Sequence, residues 1–363
     1  MGTDNIEFVQ KELSSSFYDA PKENIDFTVL KNGEVDSGKK FVKFSARFRY
    51  GKQTFVSTYW KPGGEDEIKV RNMKALVFIC HGFAESLNYS YEEVARFWCT
   101  ELGKDDENTN GGCLVFGHDH VGHGRTSGPR VSATKMNEYV NPIVEHIKSV
   151  KEWYFGGLEK QLPIYLVGHS MGALIAIFLL FKHQTLFRGF IALSPLIKLD
   201  MHNISRKEKF LLKYLPSLCV PHQVGSFSCE EMTRDKKMIK KMNDDNMFWH
   251  GGSTVGHDAL LIRSCENAIK NLSKITLPIL VLQGEDDEYE NPKGAKALFD
   301  GAVSEDKLFV SYPKALHHLL IEVETIKLDV FKKTLEWMSR HVKKLPKKPL
   351  KRWQLLKSQL RIQ

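Results

Sequence analysis

One stretch limits what this chain can fold into more than any other. Ile164-Tyr165-Leu166-Val167, a run of strand formers, leads directly into Gly168-His169-Ser170-Met171-Gly172, and a helix-forming run (Met171, Leu174, Ile175, Ile177, Phe178, Leu179) follows. Strand, sharp turn and helix form the setting in which G-x-S-x-G becomes a nucleophile elbow, with the serine backbone strained and its hydroxyl lifted clear of a sheet. The two glycines fit because a Cβ at either place would collide with a neighbouring strand or helix. The helix that begins here aims its N–H groups and positive dipole end at the serine, where an oxyanion is stabilised. A serine that merely capped a helix would need neither the preceding strand nor both glycines.

Around this stretch the chain keeps a rhythm. Residues 41–50 and 54–60, joined by Gly51-Lys52-Gln53, read as an antiparallel hairpin. Wholly apolar runs, as expected of strands buried on both faces, follow at 75–80, 113–117, 164–167, 189–193, 278–282 and 308–311. Helix-patterned segments at 92–102, 133–154, 171–183, 293–299 and 322–341 lie between most of them. The alternation predicts an α/β fold with a mostly parallel central sheet and helices on both faces. From 196 to 257 no buried strand is expected. Phe210–Pro221 and a Met-rich stretch (Met232, Met238, Met242, Met247) read instead as an inserted helical cap over the sheet's C-terminal edge, where open α/β sheets bind ligands. The expected organisation is an extension (1–40), a core in two parts (41–195 and 258–342) around the cap (196–257), and a basic tail (343–363).

The charge is concentrated. Lys and Arg total 52 against 44 Asp and Glu, a net charge of +8, and residues 342–363 carry eight basic residues and no acid, so the tail accounts for the whole excess. With Leu350, Trp353, Leu355, Leu356, Leu360 and Ile362 among them, these residues suit peripheral contact with an anionic membrane. A solvated tail fits the same composition equally. Nucleic acid is not an expected partner, because the body is neutral and carries no recognition motif. No apolar run approaches the ~20 residues that span a bilayer. Met1–Ile6 has neither the basic start nor the apolar core of a secretory signal. The six cysteines include no CxxC and read as reduced thiols. A cytoplasmic protein, able to sit peripherally at membranes, is expected. Oligomeric state is not legible.

A serine hydroxyl needs a base to take its proton and a third group to orient that base. After an elbow serine the expected order is Ser, then Asp or Glu, then His, each at a strand end. The run 278–282 ends in Gln283-Gly284-Glu285-Asp286-Asp287, and 308–312 ends in Pro313-Lys314-Ala315-Leu316-His317-His318. The order fits, with Asp286 or Asp287 as the acid and His317 or His318 as the base. For the oxyanion, the backbone N–H of Met171 is one donor. The loop His81-Gly82-Phe83-Ala84-Glu85 offers Phe83 as the second. The loop His118-Asp119-His120-Val121-Gly122-His123 matches no common zinc spacing, so neither metal nor organic cofactor is expected.

From about Phe55 to Arg340 the chain resembles the α/β-hydrolase superfamily and, within it, the monoacylglycerol lipase (monoglyceride lipase) family. The resemblance rests on His81-Gly82-Phe83-Ala84-Glu85, 116–124 (Phe-Gly-His-Asp-His-Val-Gly-His-Gly), Gly168–Gly172, Ser194-Pro195-Leu196, Leu282-Gln283-Gly284 through Asp287, Lys293-Gly294-Ala295 and the His317 loop. It implies Asp287, three residues after the glycine of Leu-Gln-Gly, and His317, five after the strand-ending Tyr312. It also implies an oxyanion hole from Phe83 and Met171 and a cap that forms an acyl-chain tunnel. Glu85 is kept as a substrate-binding residue. Tyr89 and Leu320 stand where the family usually has the Arg and His that handle glycerol hydroxyls. The implied function is a serine hydrolase of lipid carboxylic esters, monoacylglycerols first among them, working through an acyl-enzyme. A lysophospholipase or general carboxylesterase on the same triad is the alternative. A non-catalytic hydrolase-fold binding protein is a distant one, since such proteins usually lose a triad member.

Overall fold

The structure is a computed structural model that describes residues 28–30, 41–62, 73–87, 90–103, 112–155, 162–198, 223–224 and 228–343. Its sheet begins with β1 (Thr28–Leu30), β2 (Phe41–Tyr50) and β3 (Gln53–Pro62), each antiparallel to the next. β1 lies within the segment expected as an extension, and pairs Thr28 with Arg47. Six further strands complete it: β4 (Ala75–Cys80), β5 (Cys113–His118), β6 (Ile164–His169), β7 (Gly189–Leu193), β10 (Ile279–Gly284) and β11 (Lys307–Tyr312). The order across the nine-stranded sheet is β1-β2-β3-β5-β4-β6-β7-β10-β11. β3 meets β5 antiparallel, and every later pairing is parallel.

The runs are apolar throughout because both faces are covered. Ile164 and Leu166 of β6 enter one hydrophobic cluster, while Tyr165 and Val167 enter the other. The first cluster is closed by α2 (Asn137–Phe155), α3 (Met171–His183), α5 (Val255–Asn271) and α6 (Pro292–Gly301), through Ile143, Leu174, Leu260 and Leu298 among others. The second is closed by α1 (Glu92–Glu101) and α7 (Glu324–Lys343), with Trp98, Val330, Phe331 and Trp337. The indole N–H of Trp98 donates to Thr334 Oγ1 at 2.9 Å and ties those two helices together. Each fully buried Leu, Val or Phe contributes about 1.5–3 kcal/mol of transfer free energy.

Two boundaries differ from the sequence expectation for local reasons. α2 starts at Asn137 rather than 133, because the Glu138 carboxylate accepts the N–H groups of Thr134 and Lys135 and fixes a turn there. In 196–257, the two-residue strands β8 (Gln223–Val224) and β9 (Ser253–Thr254) pair, and α4 (Lys236–Asn243) is capped by Asp235. Met232, Met242 and Phe248 of this interval pack on Ala84 and Ile321. Phe210–Pro221, most of 1–40, Tyr89 and residues 344–363 lie outside the described residues. Among the described residues, no helix is long and apolar enough to cross a membrane.

Candidate active site

The strand order reverses at β4, whose chain successors lie on opposite sides of it, β5 on one and β6 on the other. The crevice of an open α/β sheet forms at such a point, outside the strands' carboxyl ends. The loops after β4 and β6, carrying Phe83 and Ser170, flank it.

Ser170 sits between β6 and α3 with φ 52° and ψ −122°, a left-handed φ that a side chain rarely adopts. Its N–H donates to Leu193 O at 3.0 Å, which fixes the turn to β7. A Cβ on Gly172 would stand 2.1 Å from Cys80 O and 2.4 Å from His81 O. The first turn of α3 is therefore pressed against the loop after β4, which brings the backbone of Met171 beside the Phe83 loop.

Asp287 is 7% exposed, in the turn after β10. Its oxygens accept from Gln283 Nε2 (2.8 Å) and from the N–H groups of Tyr289 (3.0 Å) and Glu290 (2.9 Å). They meet His317 Nδ1 at 2.9 and 3.0 Å. Burial opposes the Asp287 charge, but the His317 imidazole and these donors outweigh it and hold the carboxyl below the usual aspartate value. Asp286 is exposed. The His317 ring lies 4.9 Å from that of His169, the residue before Ser170. Glu290, three residues after Asp287, is a buried acid that bonds the triad acid through its backbone N–H.

His318 turns away from Asp287. Its ring stacks on His169 with centroids 4.0 Å apart, and its Nε2 stands 2.9 Å from Glu85 Oε1 without hydrogen-bond alignment. Glu85 Oε2 accepts from Gly82 N–H (2.8 Å) and Tyr91 Oη (2.5 Å), and His169 Nδ1 lies 3.3 Å away. Burial disfavours the Glu85 charge, but His318 and His169 hold its carboxyl well below the ordinary range. Burial first, then His318, pushes His169 down to about 4. Glu85, His169 and His318 are the metal-competent group among the described residues. Two imidazoles stacked face to face cannot both hold one ion in their ring planes, so this group fits a buried hydrogen-bond network centred on Glu85 rather than a metal centre.

The histidine loop after β5 is a brace. Asp119 accepts the N–H groups of Leu87 and Arg125, both at 2.9 Å, and His120 N–H donates to His81 Nε2 at 2.8 Å. These bonds tie the loop after β5 to the loop after β4. Leu320, expected at the substrate's polar end, is 1% exposed in the apolar cluster with Tyr91, Val94 and Trp98. The Tyr289 hydroxyl donates to Ser228 O at 2.8 Å while its ring lies 5.4 Å from His317, which joins the 228–257 interval to the acid loop. Sequence reading did not single out Tyr91, Tyr289 or Glu290. For Glu290 the available signal was its position three residues past the acid.

A family model described as "Serine aminopeptidase, S33" matches residues 71–324. The chain is 32% identical to the monoglyceride lipase of Homo sapiens over 289 residues, covering 79% of this chain and 88% of that protein. It is 31% identical to a monoglyceride lipase homolog of Monkeypox virus, covering 78% and 94%. A crystal structure of a soluble variant of monoglyceride lipase from Saccharomyces cerevisiae, in complex with a substrate analog, superposes with a TM-score of 0.66 at 22% identity, over 81% of this chain and 94% of that one.

Proposed function

The chain belongs to the serine aminopeptidase S33 family of α/β-hydrolases, as a monoglyceride-lipase-like hydrolase of lipid esters, and on that premise we propose that it cleaves monoacylglycerols to fatty acid and glycerol through a Ser170 acyl-enzyme. The observation that carries this reading is the buried Asp287–His317 pair beside the strained Ser170 elbow, at the sheet's switch point. His317 takes the hydroxyl proton as Ser170 Oγ attacks the ester carbonyl, then delivers it to the departing alcohol. Asp287 holds Nδ1–H and stabilises the imidazolium, leaving Nε2 for the proton transfers. The N–H groups of Phe83 and Met171 receive the oxyanion. Water, deprotonated by His317, then releases the fatty acid and restores Ser170. The Met- and aromatic-rich interval around Met232, Met242 and Phe248 serves as the cap that receives the acyl chain.

A lysophospholipase or carboxylesterase reading has one observation in its favour: Leu320 brings no polar group to the head-group end. Hydrolysis of a 2-monoacylglycerol, a lysophosphatidylcholine of the same chain and a short aryl ester separates the two readings. The proposal predicts preference for the monoacylglycerol. It also predicts a fall of about 10⁴-fold or more in kcat for Ser170→Ala on every substrate. Preference for the lysophospholipid contradicts the substrate assignment, and full activity of Ser170→Ala contradicts the mechanism.

A further inference from the structure

The peptide links on both sides of His317 are held by other parts of the chain. The N–H of Leu316 donates to Glu322 Oε1 at 3.2 Å, and the N–H of His318 donates to Met232 O at 2.7 Å. Thr233 Oγ1 donates to Ile321 O at 2.8 Å, and Arg234 Nε donates to Glu322 Oε1 at 2.6 Å. Glu322 Oε2 accepts from the N–H groups of Arg234 (3.3 Å) and Val323 (2.5 Å). Three consecutive residues, Met232, Thr233 and Arg234, therefore grip the loop that carries the base. The Glu322 side chain is 0% exposed and that of Arg234 34%. The four bonds that Glu322 accepts fill the lone-pair sites of its carboxylate and leave none for a substrate.

We infer that Glu322 and Arg234 are positioning residues for the base: their ion pair clamps the backbone around His317 to the 232–234 stretch and so sets where the imidazole stands. This rests on the reading of Ser170 as nucleophile and His317 as base, and adds to it the device that holds the base in register. Asp287 fixes the ring through Nδ1 alone, and a ring bonded at one end still follows its backbone. From Pro313 to His318 that backbone belongs to no helix or strand, so its place has to come from bonds across the loop. A buried carboxylate suits the task. It takes N–H groups from separate peptide links at once, and its charge strengthens each bond. Burial also makes it depend on its partner, because an ion pair broken on one side leaves the other charge uncompensated. Arg234 supplies that partner from the 228–257 interval, which joins the interval and the base loop in one piece. A displacement of about 1 Å at a catalytic group can cost about 10²-fold in rate.

The test measures kcat, KM and the thermal midpoint on the full chain, with a 2-monoacylglycerol as substrate. The proteins are the wild type, Arg234→Lys, Arg234→Ala, Glu322→Gln and the double variant Arg234→Ala/Glu322→Gln. Arg234→Ala should lower kcat about tenfold or more while KM stays within about threefold, because the base is misplaced and the substrate contacts are not. Arg234→Lys keeps a cation beside Glu322 and should return kcat to within about threefold of the wild type. Residues that act through one clamp are not additive, so the double variant should fall no further than the worse single one, within about threefold. Arg234 stands partly in solvent, so its variants decide the matter where Glu322→Gln does not fold. A folded Arg234→Ala with normal kcat, or a rise in KM alone, overturns the assignment. So does an Arg234→Lys as slow as the alanine variant, or losses that multiply in the double variant. A wild type that turns over no ester and takes no fluorophosphonate on Ser170 overturns the nucleophile reading, and this inference with it.

Discussion

At the scale of single residues, burial sorts chemically identical groups. Asp286 and Asp287 are neighbours of one type, as are His317 and His318, and spacing alone left each pair open. The fold exposes Asp286, buries Asp287 against His317, and turns His318 to Glu85. Asp287→Asn should lower kcat on a monoacylglycerol by about 10³–10⁴-fold with the fold retained, as circular dichroism and steady-state kinetics would show. Near-normal turnover would mean that His317 is oriented by something else. Glu290 makes a different prediction. Its carboxyl holds a proton in the folded state that the unfolded chain releases above about pH 4.3, so stability falls as pH rises through that window. Glu290→Gln removes the effect. Its thermal midpoint should gain on the wild type as pH rises above about 4.5, and a constant difference would contradict the buried-acid reading. Neither Glu290 nor the Glu85 network was legible in the sequence. An acid in a polar turn reads as solvated until the packing around it is known.

At the scale of elements, the elbow was legible because its constraints are steric and local. Gly168 is held by Ala173, with a Cβ placed 2.6 Å from Ala173 Cα, and Gly172 by the carbonyls of Cys80 and His81. Gly172→Ala should force α3 away from the loop after β4. We expect activity to fall at least about 10²-fold, the scale of losing one oxyanion donor, even where the protein still folds. Unimpaired turnover would mean that the Met171 and Phe83 donors do not depend on this contact. The strands were legible for the same kind of reason, since a strand buried on both faces can be nothing but apolar. Helix starts were not: α2 waits for the Glu138 carboxylate, and no periodicity announces that turn. β1 and the β8–β9 pair were missed because two or three residues carry no pattern.

At the scale of the whole molecule, the sheet order follows from hairpin and βα units in sequence, but what it brings together does not. Seven histidines (His81, His118, His120, His123, His146, His169 and His257) are buried in the folded chain. Burial is the largest cause in lowering each below the usual imidazole value, to about 3 for His146 and about 4 for His257. The unfolded chain binds these protons from about pH 6.5 downward and the folded one does not, so stability is intact above that pH and lost as pH falls below it. Each such group contributes up to about 1.4 kcal/mol per pH unit. Denaturant midpoints should therefore drop steeply between pH 6.5 and 5, before any ordinary carboxylate titrates, and a flat profile there would contradict the neutral cluster.

Labelling with an irreversible fluorophosphonate decides whether Ser170 is the nucleophile of a lipid esterase. Intact-mass measurement of the full chain after treatment, followed by peptide mapping, should show one adduct per molecule on the Ser170 peptide, protection by a monoacylglycerol, and no adduct in Ser170→Ala. An unmodified wild type, or an adduct on another residue that persists in Ser170→Ala, would contradict it.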